Sequence, residues 1–179
     1  MALGDRITDA SQKTLLGNVK SAMQRGGPSE AVEYCNVRAM PLTDSLSTAY
    51  GVVIGRISRR NRNPDNTPRD EIDKEILQLY HKRYEKQQAL QTRLVKGQDG
   101  HLRFYKPIFI GMPTCLKCHG DPKTDIAPAT LKLLDEKYPY DEARGYHQGD
   151  LRGMWKVVFN KTNDAKTNKQ EEEATNGDA

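Results

Sequence analysis

The chain has 179 residues and a net charge of +4, from 28 basic and 24 acidic side chains. That is room for one domain with a real core and hardly for two, and so mild a positive excess calls for neither nucleic acid nor a membrane surface. Hydrophobic residues make up 36% of the chain, which predicts polar helix faces and tails, and no run approaches the ~20 apolar residues of a membrane-spanning helix.

Residues 6–25 read as a helix, with Ile7, Ala10, Leu15, Val19 and Met23 recurring at helical spacing until Gly26-Gly27 ends it. Pro28-Ser29-Glu30 starts a second helix, with Ser29 as N-cap and residues 31–40 as its body. Pro41 either kinks this helix, with a short continuation from Leu42 to Leu46, or ends it. Val32, Cys35 and Ala39 share a face at steps of three and four, so Cys35 is expected to point into apolar surroundings. Residues 51–58 carry the β-branched content of a strand, and 59–68 form a loop dense in Asn, Asp and Pro.

Asp70 to Lys86 is a strong helix, with Ile72, Ile76, Leu79, Tyr80 and Tyr84 as its stripe, acids early and bases late. Residues 90–96 suit a short strand or an extension, and Gly97-Gln98-Asp99-Gly100 a hairpin turn. A strand follows from His101 to Ile110, in which Pro107 demands an edge or a bulge. Ala129 to Lys137 reads as a short helix, Asp141 to Gly149 as loop, and Gly153 to Phe159 as a last strand. Residues 161–179 have almost no apolar content and are expected to be a disordered polar tail or a frayed helix, leaving 1–160 as the folded domain. The order predicts an α+β fold, an antiparallel sheet with the N-terminal helices packed on it.

Between the third strand and the short helix stands Cys115-Leu116-Lys117-Cys118-His119. The C-x-x-C-H pattern is an attachment site for a c-type haem. Cysteines three apart fall on one side of a helical turn and can add to the two vinyl groups along one porphyrin edge, while His119 offers iron an imidazole nitrogen. The other ring nitrogen then needs an acceptor, usually a backbone carbonyl. A zinc site would want a second ligand pair, and a thioredoxin-type pair would follow a strand without the trailing histidine. Haem carries two carboxylates, and arginine forks match them, so Arg56, Arg60 and Arg62 are candidate propionate contacts; the alternative for the 59–68 loop is a solvated connector.

Haem c is attached outside the cytoplasm. The residues from Met1 to Arg6 lack a charged leader before an apolar run, so a periplasmic or equivalent location is expected with the export signal replaced or removed. Two cysteines on haem leave Cys35 alone in an oxidising compartment. For the second axial position Met112 is too near Cys115 in the chain. His81, His101 and His147 read as solvated, and Met40 and Met154 as core fillers. Cys35 is left as either the distal ligand or a plain buried thiol.

Several stretches together resemble the DUF3365 family, also called Tll0287-like haem proteins. They are Ala31-Val32-Glu33-Tyr34-Cys35, Gly55-Arg56-Ile57-Ser58, Arg62-Asn63-Pro64-Asp65-Asn66 with Pro68, Phe104-Tyr105-Lys106-Pro107-Ile108, the Cys115–Gly120 motif and the strand from Gly149 to Val158. The resemblance implies a PAS-like fold, one covalent haem c, His119 as proximal iron ligand and Cys35 as distal ligand. The chain departs from the family at Ile57, where threonine is usual, and at Arg69 or Asp70, where tryptophan is common, so packing near that loop is expected to differ.

A thiolate opposite imidazole would favour Fe(III) and lower the reduction potential, and its loss on reduction would open a site for CO or NO. Two functions follow: a redox or small-gas sensing module, or a low-potential electron-transfer cytochrome. No acid–base constellation marks an enzyme. A redox or signalling partner protein, a small gas and a second copy of the chain are the partners left open.

Overall fold

The structure, a computed structural model, describes residues 1–160; the polar tail expected over 161–179 lies outside the described residues. Helix α1, Ala2–Tyr50, takes up both expected N-terminal helices. It starts earlier than the apolar spacing predicts because Gly4, buried, lies against the Phe104 ring with no room for a side chain. The hydroxyls this buries are satisfied along the helix: Thr8 Oγ1 donates to the Gly4 carbonyl at 2.9 Å and Ser11 Oγ to that of Ile7 at 2.8 Å.

The predicted stop at Gly26-Gly27 is a break between two arms of α1. Gly27 sits at φ 70°, ψ −159°, a region essentially reserved for glycine. Ser29 does not cap the second arm through a side-chain bond; its hydroxyl faces that of Thr130 at 3.5 Å. Pro41 does not end the arm, which runs on to Tyr50. The carbonyl its ring crowds belongs to Val37, whose side chain is exposed, so that face can tilt toward water. Gly51, at φ 64°, closes the helix by donating to the Ser47 and Thr48 carbonyls.

Four strands, β1 Val52–Ile57, β2 Arg93–Lys96, β3 Leu102–Phe109 and β4 Leu151–Phe159, form one antiparallel sheet in the order β1-β4-β3-β2. Pro107 meets both conditions set for it. The partner strand β2 reaches only to Tyr105, so Pro107 has β4 on one side and no strand on the other, and the register with β4 slips just beyond, between Ile108 and Phe109.

Side chains alternate across the sheet. Val52, Ile54, Phe104, Trp155, Val157 and Phe159 face α1 and pack with Ile7. Ile57, Tyr105, Leu151 and Met154 face helix α2, Glu71–Glu85, and pack with Ile76, Leu77 and Tyr80. Full burial of each such side chain contributes about 1.5–3 kcal/mol. The N-cap of α2 is Asp70, whose carboxylate accepts from the Asp73 amide at 2.8 Å. This is the expected α+β plan, a PAS-like antiparallel sheet with the N-terminal helix packed on one face.

At the far end, a short helix α3, Leu116–His119, follows a single 3-10 turn, Pro113–Cys115. Helix α4, Pro128–Lys137, lies against the second arm of α1 through Val32, Ile126 and Leu134. Among the described residues no helix is long and apolar enough to cross a membrane.

Candidate functional site

The C-x-x-C-H motif occupies the 3-10 turn and α3, where the second arm of α1, α4 and the 138–150 segment converge. Proline at the first position of the turn fixes its entry. Gly120 is required at its exit, since a Cβ there would lie 2.6 Å from the Asp125 side chain and 2.7 Å from the Leu116 carbonyl oxygen. Cys118 packs with the Val32–Ile126–Leu134 cluster, and Cys115 with Ile110, Ala143 and Tyr146. All three cysteines are unpaired thiols. Burial pushes the Cys118 thiol up to about 11, against the pull of Arg62.

His119 is held from one side. Its Nδ1 lies 2.8 Å from the Ala143 carbonyl oxygen; a carbonyl can only accept, so Nδ1 carries the proton and Nε2 keeps its lone pair. Two backbone bonds bind the same loop to the motif, Gly145 N–H to the Gly120 carbonyl at 2.7 Å and Tyr146 N–H to the His119 carbonyl at 2.9 Å. The Tyr146 ring stands edge-on to the imidazole, 6.4 Å between centroids at 87°. Protein surrounds the ring although some of it stays accessible. That desolvation, then the Arg62 and Arg152 guanidinium groups, hold its pKa well below the usual histidine range, so the imidazole is neutral.

Cys35 comes to the site from the second arm of α1, half-buried. Its surroundings differ from the expected apolar ones. Burial raises its pKa, but Arg56 and Arg62 are close enough to pull the other way, and Cys118 and Tyr138 share the same field.

The three arginines singled out in the sequence have different duties. Arg62 donates to the Cys118 carbonyl at 2.5 Å and the Ala143 carbonyl at 3.3 Å, and pairs with Asp141 at 3.1 Å. It therefore ties the 59–68 loop to both the motif and the loop that holds His119. Its Nε is buried without a hydrogen-bond partner among the described residues. Arg60 donates to the Glu142 and Arg144 carbonyls and stacks 4.5 Å from the Tyr146 centroid. Arg56, on the α1 face of β1, lies 5.8 Å from the Trp155 ring centroid and has no carboxylate partner among the described residues.

Four groups at the site escaped the sequence reading: Ala143, Asp141, Tyr138 and Arg152. Asp141 is the hub of the loop. Its side chain, 1% exposed, accepts from the Ala143 amide at 2.9 Å and from Arg144 Nε at 2.8 Å besides pairing with Arg62. Burial opposes its ionisation, yet Arg62, Arg144 and the Ala143 amide outweigh burial and hold the carboxyl below its usual range. The bond from Asp141 to the amide two residues on is an Asx-turn, a signal the sequence does carry.

The other candidate ligands lie elsewhere. Met154 is fully buried in the α2-side core, Met112 is exposed, and His147 is 85% exposed beside Asp150. His101 Nδ1 sits 3.0 Å from the Phe159 carbonyl oxygen. His81, expected in solvent, is half-buried near Arg59, and burial lowers its pKa.

A family model described as Tll0287-like matches residues 5–160. Among solved structures, the crystal structure of the cyanobacterial heme-protein Tll0287 superposes with a TM-score of 0.59 at 24% identity, over 82% of this chain and 94% of that one, a likeness of fold. No curated protein matches the chain.

Proposed function

We infer what the site holds from the premise that the chain belongs to the Tll0287-like family. We propose that residues 1–160 form a monohaem c module, located in the periplasm or an equivalent lumen, that senses redox state or a small gas. The residues fit the group. Cys115 and Cys118 are free thiols able to add across two vinyl double bonds, each giving a thioether. Nε2 of His119 would bind iron, and Cys35 would bind it from the opposite face. Haem supplies a one-electron Fe(III)/Fe(II) couple and an iron able to take diatomic ligands.

The observation that carries this reading is the His119 lock. A neutral imidazole one residue after a free thiol, with Nδ1 fixed on the Ala143 carbonyl and Nε2 left over, is the arrangement a metal-binding histidine needs.

The test uses holo protein matured with haem c. A six-coordinate, low-spin ferric spectrum is expected from the wild type and a changed one from Cys35→Ser. An unchanged Cys35→Ser spectrum removes Cys35 from the iron. Reduced wild-type protein is then exposed to CO or NO. Binding supports sensing. Inertness with reversible redox cycling selects the second reading, a low-potential electron-transfer cytochrome, which the positive balance of the chain would help steer to acidic partners.

A further inference from the structure

Positive charge around His119 outruns negative charge. The guanidinium groups of Arg62, Arg152 and Arg56 all bear on its imidazole. Among the described residues the carboxylate beside them is Asp141, already shared by Arg62 at 3.1 Å and Arg144 at 2.8 Å. Arg152 uses a single nitrogen, Nη1, which donates to Ser58 Oγ at 2.6 Å and to the Arg60 carbonyl at 2.9 Å, and its guanidinium lies 5.5 Å from the Tyr146 ring centroid. The rest of its fork has no hydrogen-bond partner among the described residues, and Arg56 has neither hydrogen bond nor ion pair from its side chain. Two half-buried guanidinium groups thus keep N–H groups that are unengaged yet open to solvent, and Asp141 acts on Arg152 only through its field, so a carboxylate arriving there finds donors without displacing a protein partner.

We propose that Arg56 and Arg152 form a two-carboxylate receptor for the propionates of the haem, one fork for each. This rests on the haem reading. The two arginines stand on neighbouring strands, β1 and β4: Arg56 pairs with Trp155, and Arg152 lies three residues before Trp155, at the register slip of β4 against Ile108 and Phe109. Arg60 and Arg62, the other arginines the sequence offered, are committed to backbone carbonyls. Arg62 in addition grips Cys118 itself, whereas the propionates of a porphyrin lie on the edge opposite its vinyl groups. Two carboxylates would balance the two unmatched charges and accept the N–H groups left free on each fork.

The experiment compares holo protein of the wild type with Arg56→Gln, Arg152→Gln, the double variant and the corresponding Lys substitutions. Arg25→Gln, an exposed arginine paired with Glu30, controls for the charge change. A haem stain on a denaturing gel first reports covalent loading. Resonance Raman then reads the propionate-bending bands, and redox titration reads the midpoint potential. Each Gln variant is expected to shift a propionate band and lower the potential. Each Lys variant is expected to shift the band while holding the potential, and Arg25→Gln to change neither. If a Gln variant does not fold, its Lys counterpart still gives the Raman readout. Stained protein whose propionate bands are unmoved in the variants overturns the receptor and leaves the haem reading standing. A wild type that never stains overturns both.

Discussion

At the scale of single residues, the side chain that does most for the site is one that would never touch a ligand. Asp141 accepts from the Ala143 amide and holds Arg62 and Arg144, and Ala143 in turn accepts from His119. Because its folded-state pKa is depressed, the folded chain gives up the Asp141 proton more readily than the unfolded one. The stability this contributes is present above the ordinary aspartate value of about 3.9 and is lost as pH falls below it through the folded value. Asp141→Asn removes the charge that two arginines face. It is expected to cost about 3 kcal/mol at pH 7, as breaking a buried pair does, and to flatten the acid limb between pH 5 and 2. Urea midpoints across that range measure both.

The same residues mark what could be read in advance. The motif names its cysteines and its histidine, and a backbone carbonyl was the expected partner for Nδ1. Which carbonyl was out of reach, because Ala143 is distant in sequence and brought back by tertiary folding alone. Arg152 was hidden for a different reason. Gly153, at φ 159° and pressed against the Ile57 carbonyl, interrupts the β pattern. Counted by β pattern from that glycine, the strand leaves Arg152 outside; the Gly149–Val158 stretch of the resemblance contains it but gives it no role, and β4 begins at Leu151.

At the scale of elements, the angle within α1 decides whether Cys35 meets the motif. The first arm is fixed on the sheet by Ile7 and Gly4, and the second on α4 by Val32. Gly27 joins them at a positive φ, and open space surrounds the position its Cβ would take. Gly27→Ala therefore meets no clash and isolates backbone strain, worth about 1–3 kcal/mol. A melting temperature lower by roughly 3–10 °C is expected. Gly17→Ala is the control. That glycine lies in regular helix with nothing near its Cβ, and alanine there is expected to stabilise by about 0.5–1 kcal/mol. Differential scanning calorimetry of the two should give shifts of opposite sign. The Gly-Gly pair was legible as punctuation. Pro41 left two outcomes open, a kinked continuation or a stop, and the sequence does not choose between them because the exposure of the Val37 face depends on what packs against the arm.

At the scale of the whole molecule, the alternation of the sheet separates two sets of buried charge. On the α1 side are Arg56 and the residues gathered round His119. On the α2 side, Asp73 is fully buried, accepts from the Tyr105 hydroxyl at 2.8 Å and pairs with Lys156 at 2.7 Å, while Lys156 also reaches Asp70 at 3.2 Å. Burial, then the Asp73 hydrogen bond, raises the Tyr105 pKa far above its usual value, so the phenol stays a donor at any working pH. Asp73→Ala leaves Lys156 with a partly exposed partner only, and a loss of about 3–5 kcal/mol is expected. No residue of that network touches the groups that hold Arg62 or His119. If the sheet insulates the faces, Asp73→Ala leaves the ferric spectrum of the holo protein unaltered. The stability losses of Asp73→Ala and Asp141→Asn should then add to within about 0.5 kcal/mol, with each single variant and the double measured by urea unfolding. A coupling well beyond that figure, or a spectrum that changes when Asp73 is removed, would mean that β4, the strand common to both faces, transmits strain from one to the other.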